Sequence, residues 1–256
     1  MKPALAGLVV LLWAGTAAAA EDPVYALYAG GDYDGAVRAG EATHTAAGYA
    51  MAARALLDQD RLRNAPCLEC LKRAEGFARR AIDADPGLAW GQLWLAVALG
   101  YEARITGTVR ARLDDVPGRS HRALDKAVAD DPDNPHAVSA LGGWNIAIVK
   151  GGGALAARLF YGATSGKALA LFDRAVQIAP GNVSVRYQIG LSLAGFDPDK
   201  YRDRIIGEFK AAIAGKPVTA YEKAMQDRAG TLLALLTAGR SEAFAALVRK
   251  FEGYPG

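Results

Sequence analysis

Two cysteines, three histidines and three methionines are all that this 256-residue chain offers to a metal, a haem or a redox centre. Two thiolates do not complete the four-ligand shell of a structural zinc, and His44, His121 and His136 stand at no ligand spacing to Cys67 and Cys70. Leu71 follows Cys70 where c-type haem attachment needs histidine. No metal and no cofactor is expected. The chain also lacks an excess of either charge: 30 Lys+Arg against 27 Asp+Glu leave +3, interspersed along the sequence. A nucleic-acid binder draws most of its affinity from a basic stripe, so nucleic acid is not an expected partner. There is no Gly-x-Ser-x-Gly elbow and no His-Glu-x-x-His, and the histidines and carboxylates form no paired constellation. Alternating apolar and polar runs are scarce, which argues against strands. Past the N-terminus, no segment is apolar enough to span a bilayer.

The N-terminus carries the clearest signal. Lys2, the apolar run of residues 4–13 and the small residues Ala17 to Ala20 match a cleaved secretory signal peptide. Residues 1–20 are therefore expected to be removed. That leaves a mature domain of residues 21–256 with no membrane span, located in the periplasm.

Within that domain, four prolines mark a recurring unit: Pro86, Pro132, Pro180 and Pro217. Five residues before each stands an alanine (Ala81, Ala127, Ala175, Ala212). Eight before stand Ala78, Leu124, Phe172 and Phe209, and twelve before stand Ala74, Ser120, Ala168 and Ile205. Spacings of three and four place these residues on one helical stripe, and a proline ends each helix because it lacks an amide donor and clashes with the preceding turn. A second helix follows each of the first three prolines, with a large residue beside a small one at Leu95-Ala96, Leu141-Gly142 and Ile189-Gly190. Helices are predicted near 23–30, 32–46, 48–60, 66–84, 88–106, 118–131, 135–149, 164–179, 183–195, 199–214, 219–238 and 240–252.

The large-small pair in one helix and the Ala…Pro pattern in the next resemble the tetratricopeptide repeat over residues 66–217. The stretch from Leu27 to Ala36 resembles the turn of such a unit. The prolines are 46, 48 and 37 residues apart, against a family period of about 34. Insertions are therefore expected at residues 105–118 and 150–165. Asn134 to Trp144, then Ala157 to Gly162, then Ala168 to Pro180 look like the regulator-of-microtubule-dynamics family, whose helices are tetratricopeptide-like. A second resemblance is to the periplasmic tetratricopeptide-like component of tripartite solute transporters. The fold implied is an all-α, right-handed solenoid of about four to five helical hairpins with insertions and a C-terminal capping helix.

What the resemblance implies for function is non-catalytic holding of another molecule. The foremost expectation is a scaffold for an unidentified protein or peptide; the alternative is a solute-binding accessory of a transporter. In such a fold the first helix of each pair lines a concave face. That face would carry Trp90, Leu93, Val97, His136, Ser139, Gly143 and Tyr187, with packing between repeats the competing role for Trp90 and Tyr187. Trp94, Trp144, Phe172 and Phe209 read as core. Cys67-Leu-Glu-Cys70 is a disulfide at a helix start, a pair of free thiols or a redox dithiol; thiols at a helix N-terminus are more acidic. Gly162 to Lys167 lacks the spacing and the hydroxyl residue of a phosphate loop and reads as a loop with Thr164 or Ser165 as helix cap.

Overall fold

The computed structural model describes residues 22–63 and 66–255. The expected signal peptide lies outside the described residues. Those residues fold into helices, with no strand among them. In chain order these are α1 (Pro23–Gly30), α2 (Tyr33–Ala42), α3 (Ala46–Leu62), α4 (Leu68–Ala84), α5 (Ala89–Thr106), α6 (Thr108–Leu113), α7 (Val116–Asp130), α8 (Pro135–Gly152), α9 (Ala154–Tyr161), α10 (Ser165–Ile178), α11 (Val183–Phe196), α12 (Arg202–Ala214), α13 (Ala220–Thr237) and α14 (Ser241–Phe251).

Local chemistry sets the helix ends. The carboxamide oxygen of Asn134 accepts from the backbone N–H groups of His136 and Ala137, and that of Asn182 accepts from Val185. The Thr164 hydroxyl accepts from the Lys167 N–H, which makes Thr164 the cap of α10. Each bond satisfies a donor that the first helical turn leaves open. At the other ends, α4, α7, α10 and α12 stop at Ala84, Asp130, Ile178 and Ala214, just ahead of Pro86, Pro132, Pro180 and Pro217.

The alanine stripe is the contact surface between paired helices. Ala81, Ala127, Ala175 and Ala212 are wholly buried, as are Ala78, Phe172 and Phe209 within a few per cent. At two of the large-small pairs the gap receives an aromatic ring. A Cβ on Gly142 would lie 2.6 Å from the Phe172 ring, and one on Gly190 would lie 2.6 Å from the Phe209 ring. Only a residue without a side chain lets α8 approach α10, and α11 approach α12, this closely.

The two insertions share one device. Gly107 follows α5 with φ 86° and ψ 162°, and Gly153 follows α8 with φ 77° and ψ 155°. Positive φ with an extended ψ is almost confined to glycine. Each glycine turns the chain into a short extra helix, α6 or α9. The sequence pattern left these segments without helix, because six- and eight-residue pieces are too short to show a period. Their large side chains Val109, Leu113, Leu155, Leu159 and Phe160 are exposed.

A row of five helices, α3, α5, α8, α11 and α13, pack each on the next, while α4, α7, α10 and α12 pack behind them. The row returns on itself: α13 packs against both α1 and α3. Five inner faces thus point at one another.

The same substitution should have opposite signs at two glycines. Gly190→Ala should lower unfolding free energy by about 1–3 kcal/mol through overpacking against Phe209. Gly207→Ala, in the exposed middle of α12 with no heavy atom within 4 Å of the added carbon, should raise it by roughly 0.5–1 kcal/mol. Chemical denaturation of both variants measures the difference.

Candidate functional site

The inner helices border a partly open cavity of about 390 Å³, extending between α5 and α8 toward the inserted helices α6 and α9. That is the size range of pockets that hold small molecules. Much of the wall is apolar or small. Leu93, Val97 and Gly100 come from α5, Ala140, Gly143 and Ile148 from α8, and Phe160 from α9. Trp94 and Trp144 also line it while remaining largely buried. Trp144 is fixed by its indole N–H, which donates to the Pro117 carbonyl at 3.2 Å, and by stacking on His121.

The wall also carries charge. Arg54, Asp58 and Arg61 of α3 line the cavity, as do Arg104 and Arg112. Spacings of four and three put the α3 residues on one helical face. Asp58 is buried and accepts from the Tyr28 hydroxyl at 2.7 Å. It lies 3.6 Å from Arg54 and 3.9 Å from Arg61, close enough for ion pairing but beyond hydrogen-bond contact. Burial pushes the Asp58 carboxyl above its usual range, and the two guanidinium groups pull against that shift. Aromatic rings take up the flat faces of the arginines. The Arg54 guanidinium stands 4.4 Å from the Tyr28 ring centre and 5.6 Å from that of Trp94. That of Arg61 stands 5.3 Å from both Tyr101 and Tyr221.

The structure distributes the residues expected on a concave face unevenly. Leu93, Val97, His136, Ser139 and Gly143 line the cavity. Tyr187 does not: it is wholly buried behind the lining, beside Phe209. Trp90 also stands outside the lining, stacked on Trp94 at 5.5 Å and near His136 at 5.7 Å. These two residues take the packing role. Burial, assisted by Arg54, drops the His136 pKa to about 3, so its imidazole is neutral at physiological pH. Trp94 and Trp144, read from sequence as core, are core and wall together. The charged group on α3 was missed. Arg54, Asp58 and Arg61 share one helical face, but with Gln59 and Asp60 among them they read from sequence as a solvated stretch.

Cys67 and Cys70 are joined by a disulfide, with Cα atoms 5.2 Å apart. Cys67 caps α4 and its N–H donates to Asp60 at 2.8 Å. The bridge closes within the first turn of α4, and the hydrogen bond to Asp60 ties that turn to the end of α3. Neither cysteine lines the cavity.

One carboxylate pair has the character of an acid-base site. Burial, and then the neighbouring Glu75, raise the Glu102 pKa to about 7. Glu75 itself is held by Arg79 at 2.6 Å and Arg119 at 2.9 Å. Neither glutamate lines the cavity; the pair and its arginines stand where α4, α5 and α7 meet.

No known protein-family profile and no curated protein matches the chain. The family resemblances rest on the residues that carry them. Among the described residues, no helix is long and apolar enough to cross a membrane.

The Glu102 shift makes a signed prediction. A carboxyl whose folded-state pKa is raised contributes stability that is present below its unfolded value, near 4.5, and is lost as pH rises through about 7. Glu102→Gln imitates the protonated form. It should raise the thermal midpoint at pH 8 by roughly 2–4 °C, equivalent to about 1 kcal/mol, and leave it unchanged at pH 4. A midpoint difference independent of pH would contradict the assignment.

Proposed function

We propose that this is an exported, non-catalytic binding protein of the tetratricopeptide type that encloses a small molecule with an apolar body. The observation that carries this reading is the cavity itself: space for a small ligand between inner helices, walled by aliphatic, aromatic and small residues. A peptide-binding scaffold needs a groove with room for an extended or helical segment. Here the inner row curves back until α13 meets α3, and the partly open cavity it borders has the volume of a small-molecule site. Of the two roles that the sequence suggests, solute handling therefore fits better than a protein scaffold. The solenoid assignment is supported by the buried alanine stripe and by the interlock of Gly142 with Phe172 and Gly190 with Phe209.

Binding of N-phenyl-1-naphthylamine, a neutral apolar dye that brightens away from water, tests the reading. Saturable one-to-one binding is expected. Gly100 lines the cavity, and a Cβ there meets no heavy atom within 4 Å. Gly100→Phe should therefore fill the space and weaken dye binding by about tenfold or more, with the helical circular dichroism unchanged. Absence of saturable binding, or equal affinity in the folded variant, would reject the proposal.

A further inference from the structure

Two guanidinium groups in the cavity wall are left without hydrogen-bond acceptors. Neither Arg54 nor Arg61 donates a hydrogen bond to any described residue, and the Nε atom of each is buried with no partner. A buried donor without an acceptor is costly, and more so when it carries charge. The partial neutralisation that does exist comes from Asp58, whose oxygens stand at 3.6 Å and 3.9 Å. Stacking on Tyr28, Tyr101 and Tyr221 covers the π-faces of the two groups. What remains uncommitted is the in-plane edge of N–H donors, the part of arginine that binds a planar oxyanion in two-pronged fashion.

Charge and shape then narrow the occupant. The formal charges of Arg54, Arg61 and Asp58 sum to +1, and Arg104 and Arg112 line the same cavity, so its wall is net positive and suits an anion. Part of the wall along α5 and α8 is apolar, with Leu93, Val97, Ala140 and Ile148. We infer that the cavity binds an amphipathic carboxylate, its carboxylate seated on Arg54 and Arg61 and its apolar chain lying between α5 and α8. This assignment rests on the small-molecule reading above and names its ligand class.

The test displaces bound N-phenyl-1-naphthylamine with two ligands of equal chain length, decanoate and decanol, at pH 8. Decanoate should compete at about tenfold or more lower concentration than decanol. Arg54→Gln and Arg61→Gln should each erase the advantage of decanoate over decanol while the dye still binds. Asp58→Asn keeps an acceptor for the Tyr28 hydroxyl and removes a negative charge beside both arginines, so the advantage of decanoate over decanol should grow. Equal competition by decanoate and decanol in the intact protein, with the dye binding normally, would overturn the carboxylate assignment and leave the cavity reading standing. Failure of the dye to bind would overturn both. If an arginine variant does not fold, the decanoate-to-decanol ratio in the intact protein and the Asp58→Asn response still decide the outcome.

Discussion

Two arginines and one aspartate on a single face of α3 set the terms for the rest of the molecule. Placing Arg54, Asp58 and Arg61 toward the interior is tolerable only because the surrounding helices supply aromatic faces and one hydroxyl. Tyr28 comes from α1, Trp94 and Tyr101 from α5, and Tyr221 from α13. Residues far apart in the chain thus converge on one charged centre. Removing one member of such a group leaves an uncompensated buried charge, which costs far more than the pair contributes when intact. The array must close for that centre to exist, and it closes where α13 reaches α3 and α1.

Closure follows from repeated close packing. Each outer helix sends a buried ring or small side chain into its partner, and a glycine accepts the ring at Gly142 and Gly190. The insertions interrupt this regularity in one consistent way. Gly107 and Gly153 adopt nearly the same positive-φ backbone, and both lead into short helices at the α5–α8 end of the cavity. Residues of both short helices line the cavity, and the alanine stripe behind α5 and α8 stays buried. The C-terminal segment joins the same rim. The Glu252 carboxylate pairs with Lys150 at 3.2 Å, and Arg104 donates to the Glu252 carbonyl.

Much of this architecture is legible in the sequence because it depends on short-range rules. Proline and alanine at fixed offsets located the outer helices, and the large-small pairs located the interlocks. The α6 and α9 helices escaped because short segments carry no period. Closure of the ring escaped because no local pattern reports that α13 returns to α3. The functional centre was harder to read for the same reason. His136, Ser139, Leu93 and Val97 could be placed on an inner face from register alone, whereas Tyr187 could not be told from a lining residue until its neighbours were seen. Arg54, Asp58 and Arg61 look like an ordinary solvated face until closure buries them.

The central claim is that the charged centre of the ring is the seat of an anionic headgroup. A crystal structure of the protein soaked with decanoate tests it most directly. The account predicts a carboxylate within hydrogen-bond distance of the Arg54 and Arg61 guanidinium groups, with the chain along Leu93, Val97 and Ile148. A chain bound in the reverse sense, its carboxylate near Arg112 and its tail against Arg54, would contradict it.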